Sequence, residues 1–130
     1  MSFITRGKTM AFKVLIVDDS DMVRHFHANI LKSAGFDTEQ AIDGMDALEK
    51  SVKNSFSLIL CDLNMPRMDG ITFIKELRKT GKETPVIIIT TQEEAENRRK
   101  GYMSGANLYI TKPVKPEELI INIKMLLGIS

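Results

Sequence analysis

Short apolar runs that each stop at polar residues limit most strongly what this chain can fold into. Four such runs stand at residues 14–17, 58–61, 86–89 and 108–111. An uninterrupted apolar run bounded by a turn is typical of a strand buried on both faces of a parallel sheet. In open α/β sheets, ligands bind in the crevice outside the carboxyl ends of the strands. The candidate site residues are therefore those that follow the runs, namely Asp18, Asp19, Asp62, Thr90, Thr91 and Lys112.

The segments between these runs carry helical signals. Phe12 extends the first strand to residues 12–17, and residues 36–40 form a weaker additional strand. Ser20 is suited to cap the first helix, and the apolar spacing predicts a buried face there made of Met22, Val23, Phe26, Ile30 and Leu31. Five strands that alternate with five helices predict one α/β domain with a doubly wound parallel sheet.

Two further helices carry specific expectations. Asp43 and Asp46 favour a second helix that starts near Met45, with a narrow apolar face of Ala47, Leu48 and Val52. Residues 91–94 predict a capping box for the fourth helix. That helix has few apolar residues and an interior glycine at position 101, so we expect it to be the least firmly docked helix.

The bulk properties exclude several classes of protein. A chain of 130 residues with a net charge of +1 is one domain without a global attraction to nucleic acid or anionic membranes. No apolar stretch is long enough to span a bilayer, and the N-terminus lacks the apolar core of a secretory signal. The single cysteine, Cys61, lies within a predicted strand and fits a small buried residue of a cytoplasmic protein.

The domain boundaries follow from the same patterns. Residues 1–11 are expected to be a flexible extension, an expression remnant or an upstream start, and residues 12–130 the folded domain. The chain ends shortly after the last apolar helical position, so we expect no output domain. We also expect the protein to be a monomer.

The strand-tip residues predict phosphate chemistry with a divalent metal. Three carboxylates in one crevice repel each other unless a cation offsets their charge, and oxygen ligands of this kind suit Mg²⁺. Lys112 and Thr90 supply a positive charge and a hydroxyl for an anion with several oxygens. Asp62 is the best-placed nucleophile, because carboxylates form aspartyl-phosphate intermediates.

Taken together, these residues resemble the receiver domain of two-component response regulators, especially the single-domain chemotaxis type. The resemblance covers about residues 12–129 and implies a flavodoxin-like sheet with the strand order 2-1-3-4-5. It rests on Asp18-Asp19, Asp62-Leu63-Asn64-Met65-Pro66, Met68-Asp69-Gly70, Thr90, Tyr109 and Lys112-Pro113.

The resemblance also implies a role for each matching residue. Asp62 would accept a phosphoryl group from the phosphohistidine of a histidine kinase. The Mg²⁺ ligands would be Asp19, Asp62 and the main-chain carbonyl of Asn64, with Asp18 acting through water. The phosphate would be held by Thr90, Lys112 and the Thr91 N–H, and the conformational switch would be made by Thr90 and Tyr109.

Partner binding is expected on the face formed by the fourth helix, the fifth strand and the fifth helix. The basic residues of the fourth helix either line this surface, together with Tyr102, or form an ordinary solvated charge run; they are Arg98, Arg99 and Lys100. The Lys112-Pro113 bond is a candidate for the cis form, although the trans form is more common for such bonds.

One position departs from the family's commonest pattern. Where the family mostly has a small residue after the switch hydroxyl, this chain has Thr91. Its side chain either narrows the approach to Asp62 or caps the fourth helix, and both roles are compatible. Asn64 and Gln92 are further positions expected to tune the lifetime of the phosphoryl group.

Other functions remain open at this point. The chain could be a phosphorelay intermediate that passes its phosphoryl group to another histidine. A haloacid-dehalogenase-like phosphotransferase would require an acid at position 64, which is Asn. A flavodoxin-like module would place the flavin phosphate beside Asp18 and Asp19, where like charges repel.

Overall fold

Residues 12–130 are described by the structure, a computed structural model, and they form alternating strands and helices. The expected extension over residues 1–11 lies outside the described residues. The strands are β1 (Lys13–Val17), β2 (Asp37–Ala41), β3 (Leu58–Cys61), β4 (Val86–Thr90) and β5 (Leu108–Thr111). The helices are α1 (Asp21–Ser33), α2 (Gly44–Lys53), α3 (Gly70–Lys79), α4 (Ala95–Ser104) and α5 (Pro116–Leu127). Within this part of the chain, no helix combines the length and the apolar character that crossing a membrane requires.

The five strands form one parallel sheet in the order β2-β1-β3-β4-β5, which confirms the predicted fold class and strand order. The sheet has an apolar cluster on each face, which explains why the central strand is apolar throughout. In β3, Leu58 and Leu60 pack towards α1 and α5, whereas Ile59 and Cys61 pack towards α2 and α3. Cys61 is buried as expected.

The ends of α1 follow the sequence signals, but its predicted buried face is only partly right: Leu31 is buried and Ile30 packs against the core. The Ser20 hydroxyl accepts a hydrogen bond from the Val23 N–H and caps the helix. Met22 and Phe26, however, are 82% and 49% exposed. The other inward positions are occupied by Arg24, His27 and Ala28.

Arg24 can be buried there because polar groups of the sheet bind its guanidinium. Its Nη1 donates to the main-chain carbonyl of Asp18 at 2.6 Å, and its Nε donates to Gln40 Oε1 at 3.0 Å. A buried charge is tolerated only when such partners are present. In α2, Asp43 caps the helix as expected, but Val52 is 57% exposed and does not belong to the predicted apolar face.

The predicted capping box of α4 is also wrong. The helix starts at Ala95, and its capping residue Glu94 makes no side-chain hydrogen bond. Residues 91–94 form a loop, in which the Gln92 N–H donates to Thr90 Oγ1 at 3.3 Å. The expected weak docking of α4 agrees with its burial, because its buried residues are Gly101 and Ser104.

Gly70 is the residue that lets α3 begin directly against the end of β3. Its N–H donates to the Leu63 carbonyl at 2.9 Å, so the loop between β3 and α3 closes on itself. A Cβ added at position 70 would lie 2.2 Å from the main-chain oxygen of Asp62. This approach excludes every side chain unless the backbone moves.

We expect Gly70→Ala to lower the free energy of unfolding by about 1–3 kcal/mol, because main-chain atoms must shift to admit the methyl group. Urea unfolding followed by circular dichroism measures this change. Thr72→Ala is the matched control, since position 72 is exposed on the same helix and alanine favours the helical state. Equal stability of the two variants would contradict the close approach.

Candidate functional site

The register of the sheet brings two of the candidate acids side by side. Val17 lies opposite Cys61 in the pairing of β1 with β3, so Asp18 and Asp62 are the next residues on neighbouring strands. The Asp62 N–H donates to the Val17 carbonyl at 3.0 Å and continues the ladder by one residue. Carboxylate oxygens of Asp18, Asp19 and Asp62 all lie within 4.8 Å of one another. The strand tips therefore form one acidic cluster.

Lys112 enters this cluster from the end of β5. Its ammonium nitrogen lies 3.0 Å from Asp18 Oδ2 and 3.9 Å from Asp62 Oδ2. The main-chain N–H of Lys112 donates to the Thr90 carbonyl at 2.7 Å, which fixes the start of the loop after β5. The peptide bond that follows, Lys112-Pro113, is cis. The lysine therefore lies inside the cleft, as its position at a strand tip predicts.

The three carboxylates differ in their hydrogen bonds. Asp18 is buried and uses both oxygens: Oδ1 accepts from the Ser20 N–H at 2.9 Å and Oδ2 accepts from Lys112. Asp62 Oδ1 accepts from the Leu63 N–H at 2.8 Å. Asp19 is exposed at the rim of the cluster. Asp19 and Asp62 thus accept fewer hydrogen bonds than Asp18 within the described residues.

The electrostatics of the cluster disfavour a charged Asp62. Burial raises the pKa of its carboxyl group above the ordinary value, and the neighbouring charges of Asp18 and Asp19 raise it further. Lys112 and the Leu63 N–H act in the opposite direction on this pKa. Three oxygen donors with only partial neutralisation match what a hard divalent cation such as Mg²⁺ requires. The residues present therefore fit such an ion.

Thr90 and Thr91 have different surroundings. The side chain of Thr90 is fully buried at the end of β4, opposite Thr111 of β5. Thr91, the next residue, is exposed and lies outside every helix. Because α4 starts only at Ala95, the capping role considered for Thr91 is wrong, and its role beside Asp62 stays a prediction.

Tyr109 is 4% exposed, and its position is fixed by contacts on several sides. Its hydroxyl donates to the Gln92 carbonyl at 2.8 Å. Arg98 covers the ring, with its guanidinium carbon 4.7 Å from the ring centroid, and its Nη1 donates to the Tyr109 carbonyl at 3.1 Å. A Cβ at Gly101 would lie 3.1 Å from the ring, so the glycine provides the space that the ring occupies. Burial raises the pKa of the phenol.

Asn64 is exposed on the loop after Asp62. Sequence reasoning missed the residues that support this loop and the acidic cluster. His27 is buried beside Asp18, where burial and Lys112 lower its pKa. Arg67 forms an ion pair with the buried Asp43, which the sequence indicated only as a helix cap. These contacts join different segments of the chain, and local sequence patterns do not predict them.

The expected partner residues on α4 do not form one uniform surface. Arg98 packs on Tyr109, as described, and is only partly accessible. Arg99 is exposed and pairs with Glu96 at 2.6 Å, while Tyr102 is 41% exposed. The exposed Arg99–Glu96 pair fits an ordinary solvated charge run, and partner binding on this face stays a prediction.

The chain is similar to known signalling proteins over most of its length. A family model described as "Response regulator receiver domain" matches residues 14–124. The transcriptional regulatory protein SrrA of Staphylococcus aureus is 40% identical over 118 residues, which cover 91% of this chain and 48% of that protein. The chain therefore spans about half the length of the curated relatives it matches.

Solved structures show the same fold. The chemotaxis protein CheY4 of Vibrio cholerae is 38% identical, with a TM-score of 0.83, and the match covers 88% of this chain and 98% of that one. The receiver domain of the Francisella response regulator 1452 is 39% identical, with a TM-score of 0.85, and the match covers 89% and 96% of the two chains.

The acidic cluster itself generates a stability prediction. In the absence of divalent ions, we expect Asp62→Asn to unfold at a temperature higher by roughly 3 °C, because the buried charge and its repulsion from Asp18 and Asp19 are removed. Thermal unfolding in EDTA measures the shift. Asp37→Asn removes an exposed carboxylate of β2 and should leave the midpoint unchanged. A lower midpoint for Asp62→Asn would contradict the described electrostatics.

Proposed function

This chain belongs to the response regulator receiver domain family, and on that premise we propose that it is a phosphorylation-activated switch of two-component signalling. Residues 12–130 are the receiver unit, and the phosphoryl donor is the phosphohistidine of a histidine kinase. Asp62 is the residue that accepts the group. The observation that supports this most directly is the Lys112 ammonium 3.9 Å from Asp62 Oδ2 beside two further carboxylates.

A Mg²⁺ ion would be held by Asp19, Asp62 and the main-chain carbonyl of Asn64. Asp18 would act on the ion through water, because both of its oxygens already accept hydrogen bonds. When bound, the ion supplies positive charge that offsets the charge on the oxygens of the transferring phosphoryl group. This assignment of ligands is supported by the exposed position of Asp19 and by the different numbers of hydrogen bonds that the three carboxylates accept.

In the transfer step, a carboxylate oxygen of Asp62 forms a bond to phosphorus. The bond between phosphorus and the histidine nitrogen breaks, and its electron pair stays with the imidazole. Lys112 would bind a phosphoryl oxygen, together with the Thr90 hydroxyl and the Thr91 N–H. Donors that are in place before the reaction stabilise the developing charge without a reorganisation cost, and in many enzymes such stabilisation provides most of the rate enhancement.

The switch would operate through Thr90 and Tyr109. A phosphoryl group on Asp62 would attract the Thr90 hydroxyl and change the contacts of residues 91–94, whose Gln92 carbonyl receives the tyrosine hydroxyl. The group can shift a population only through such differential contacts. The face of α4, β5 and α5 would then present a changed surface to a downstream target.

The biological output is proposed as chemotaxis. The similarity to a chemotaxis protein, which covers 98% of that chain, supports this proposal. The similarity to a transcriptional regulatory protein favours a second candidate, in which the receiver controls a partner module. A phosphorelay role remains compatible with the same site. Partner capture with and without beryllofluoride, a phosphoryl mimic, distinguishes a bound target from a histidine phosphotransfer protein.

An enzyme acting on small phosphate esters is less well supported, because the position that would carry its acid is Asn64. A flavin module is disfavoured by the acidic pair at the end of β1. Turnover of a chromogenic phosphate ester and visible flavin absorbance are the respective tests.

With a phosphohistidine donor and Mg²⁺, we expect a label that is labile to hydroxylamine, as an acyl phosphate is. Asp62→Asn should abolish the label. Lys112→Ala should slow labelling about 100-fold, the effect of removing one donor to a developing charge. Lys115→Ala removes an exposed lysine three residues further on and should label at the wild-type rate. Labelling of Asp62→Asn at the same site would overturn the proposal.

Thr91 is expected to slow loss of the phosphoryl group by narrowing the path of attacking water. Thr91→Ala should speed decay about two- to fivefold, which corresponds to about 0.4–1 kcal/mol in the barrier. Decay of the labelled protein after removal of the donor measures the rate. Glu93→Gln, at another exposed position of this loop, is the control. Unchanged or slower decay of Thr91→Ala would remove the gating role.

A further inference from the structure

The loop that carries Asn64 contains a strained turn. Arg67 has a φ of 66°, the only positive φ of a residue other than glycine within residues 12–130. Across it, the Met68 N–H donates to the Pro66 carbonyl at 2.7 Å, so residues 66–68 form a three-residue turn. Turns of this hydrogen-bonding pattern with a positive central φ are rare and strained. Glycine would relieve the strain, and yet the chain has arginine.

The arginine makes an interaction that glycine cannot make. Arg67 Nε lies 2.7 Å from Asp43 Oδ2, and Nη2 lies 3.1 Å from Oδ1, so both carboxylate oxygens are bound. The Asp43 side chain is 4% exposed and the Arg67 side chain 59% exposed. A two-point contact of a guanidinium with a carboxylate fixes direction as well as distance. The pKa of Asp43 is lowered chiefly by this contact.

Asp43 is itself held firmly. Its Oδ1 also accepts from the Asp46 N–H at 2.8 Å and caps α2. The next residue provides a second link, because the Gly44 N–H donates to the Met68 carbonyl at 3.0 Å. A Cβ at Gly44 would lie 2.2 Å from that oxygen. The start of α2 therefore holds residues 67 and 68 through both a side chain and the backbone.

We propose that the Asp43–Arg67 pair positions the loop of residues 64–68 so that the Asn64 carbonyl can serve the metal site. The inference rests on the proposed function, in which that carbonyl is a Mg²⁺ ligand. Asn64 lies three residues before Arg67 and is exposed, and the exposed Pro66 stands between them. The pair ties the loop to the start of α2 three residues beyond Asn64, whereas the hydrogen bonds at Leu63 and Pro66 stay within the loop and its junction with α3. Arg67 is a positioning residue and does not contact the metal.

The alternative is that the pair only stabilises α2. Arg67→Gly distinguishes positioning of the loop from stabilisation of α2. It removes the ion pair and at the same time relieves the strain of the turn, so a loss of the pair need not lower the stability. Asp43→Asn keeps an oxygen for the helix cap but loses the charge. The double variant Asp43→Asn with Arg67→Gly has the net charge of the wild type and lacks the pair. Lys53→Ala removes a cation on the adjoining helix α2 and measures the effect of charge alone.

Mg²⁺ is titrated into each metal-free protein by calorimetry, and the unfolding temperature is measured separately in EDTA. We expect Arg67→Gly and the double variant to bind Mg²⁺ about tenfold more weakly, the loss seen when groups that orient ligands are removed. Loss of a positive charge near an acidic site would by itself strengthen binding. Lys53→Ala should therefore bind as well as the wild type or slightly better. Arg67→Lys, which retains the charge without the two-point contact, should give an intermediate affinity.

The outcomes are distinguishable. Weaker binding by Arg67→Gly and the double variant, with unfolding temperatures in EDTA at or above that of the wild type, supports positioning. Wild-type affinity in both variants, or a loss of affinity matched by a loss of metal-free stability, overturns it while the proposed function stands. If the wild-type protein itself bound no Mg²⁺, the proposed metal site and this inference would both fail.

Discussion

Mutual repulsion among three carboxylates is the constraint on which the rest of this structure depends. The parallel register brings Asp18 and Asp62 together at adjacent strand tips, and Asp19 adds a third charge at the rim. The folded chain tolerates this through the Lys112 ammonium and through main-chain N–H groups that point at the carboxylates. These contacts offset the cost of burying the Asp62 charge only in part, since the pKa of its carboxyl group stays raised. Additional positive charge would therefore stabilise the cluster further, and the loops that follow the strands surround it.

Most of the fold and the members of the candidate site could be predicted from local sequence. Four of the five strands are indicated by apolar runs of about four residues bounded by polar residues, because a strand with both faces covered typically uses such a run. In a parallel sheet the residues after the runs must share one edge, which predicts that Asp62 and Lys112 meet. The strand order came from family resemblance, since periodicity does not determine the order of strands.

The failures have a common physical cause. Apolar spacing predicts the face of α1, but Arg24 is turned inward by the Asp18 carbonyl just after β1 and by Gln40 of β2. The start of α4 was predicted from a local capping pattern, but the Tyr109 hydroxyl engages the Gln92 carbonyl in the loop. In each case a polar contact with a residue outside the helix accompanies the departure from the locally favoured structure. Such contacts leave no periodic signal.

The empty position at Gly101 has a consequence for α4 as a whole. This helix buries little apolar surface, yet its interior glycine packs against the ring of Tyr109, where a side chain would collide with the ring and with Ile88. Sliding or rotating the helix by one residue would bring Lys100 or Tyr102 to that place, and neither fits. The Tyr109 ring and the Ile88 side chain therefore set the axial register of the helix, and α4 cannot dock one residue out of alignment unless they move.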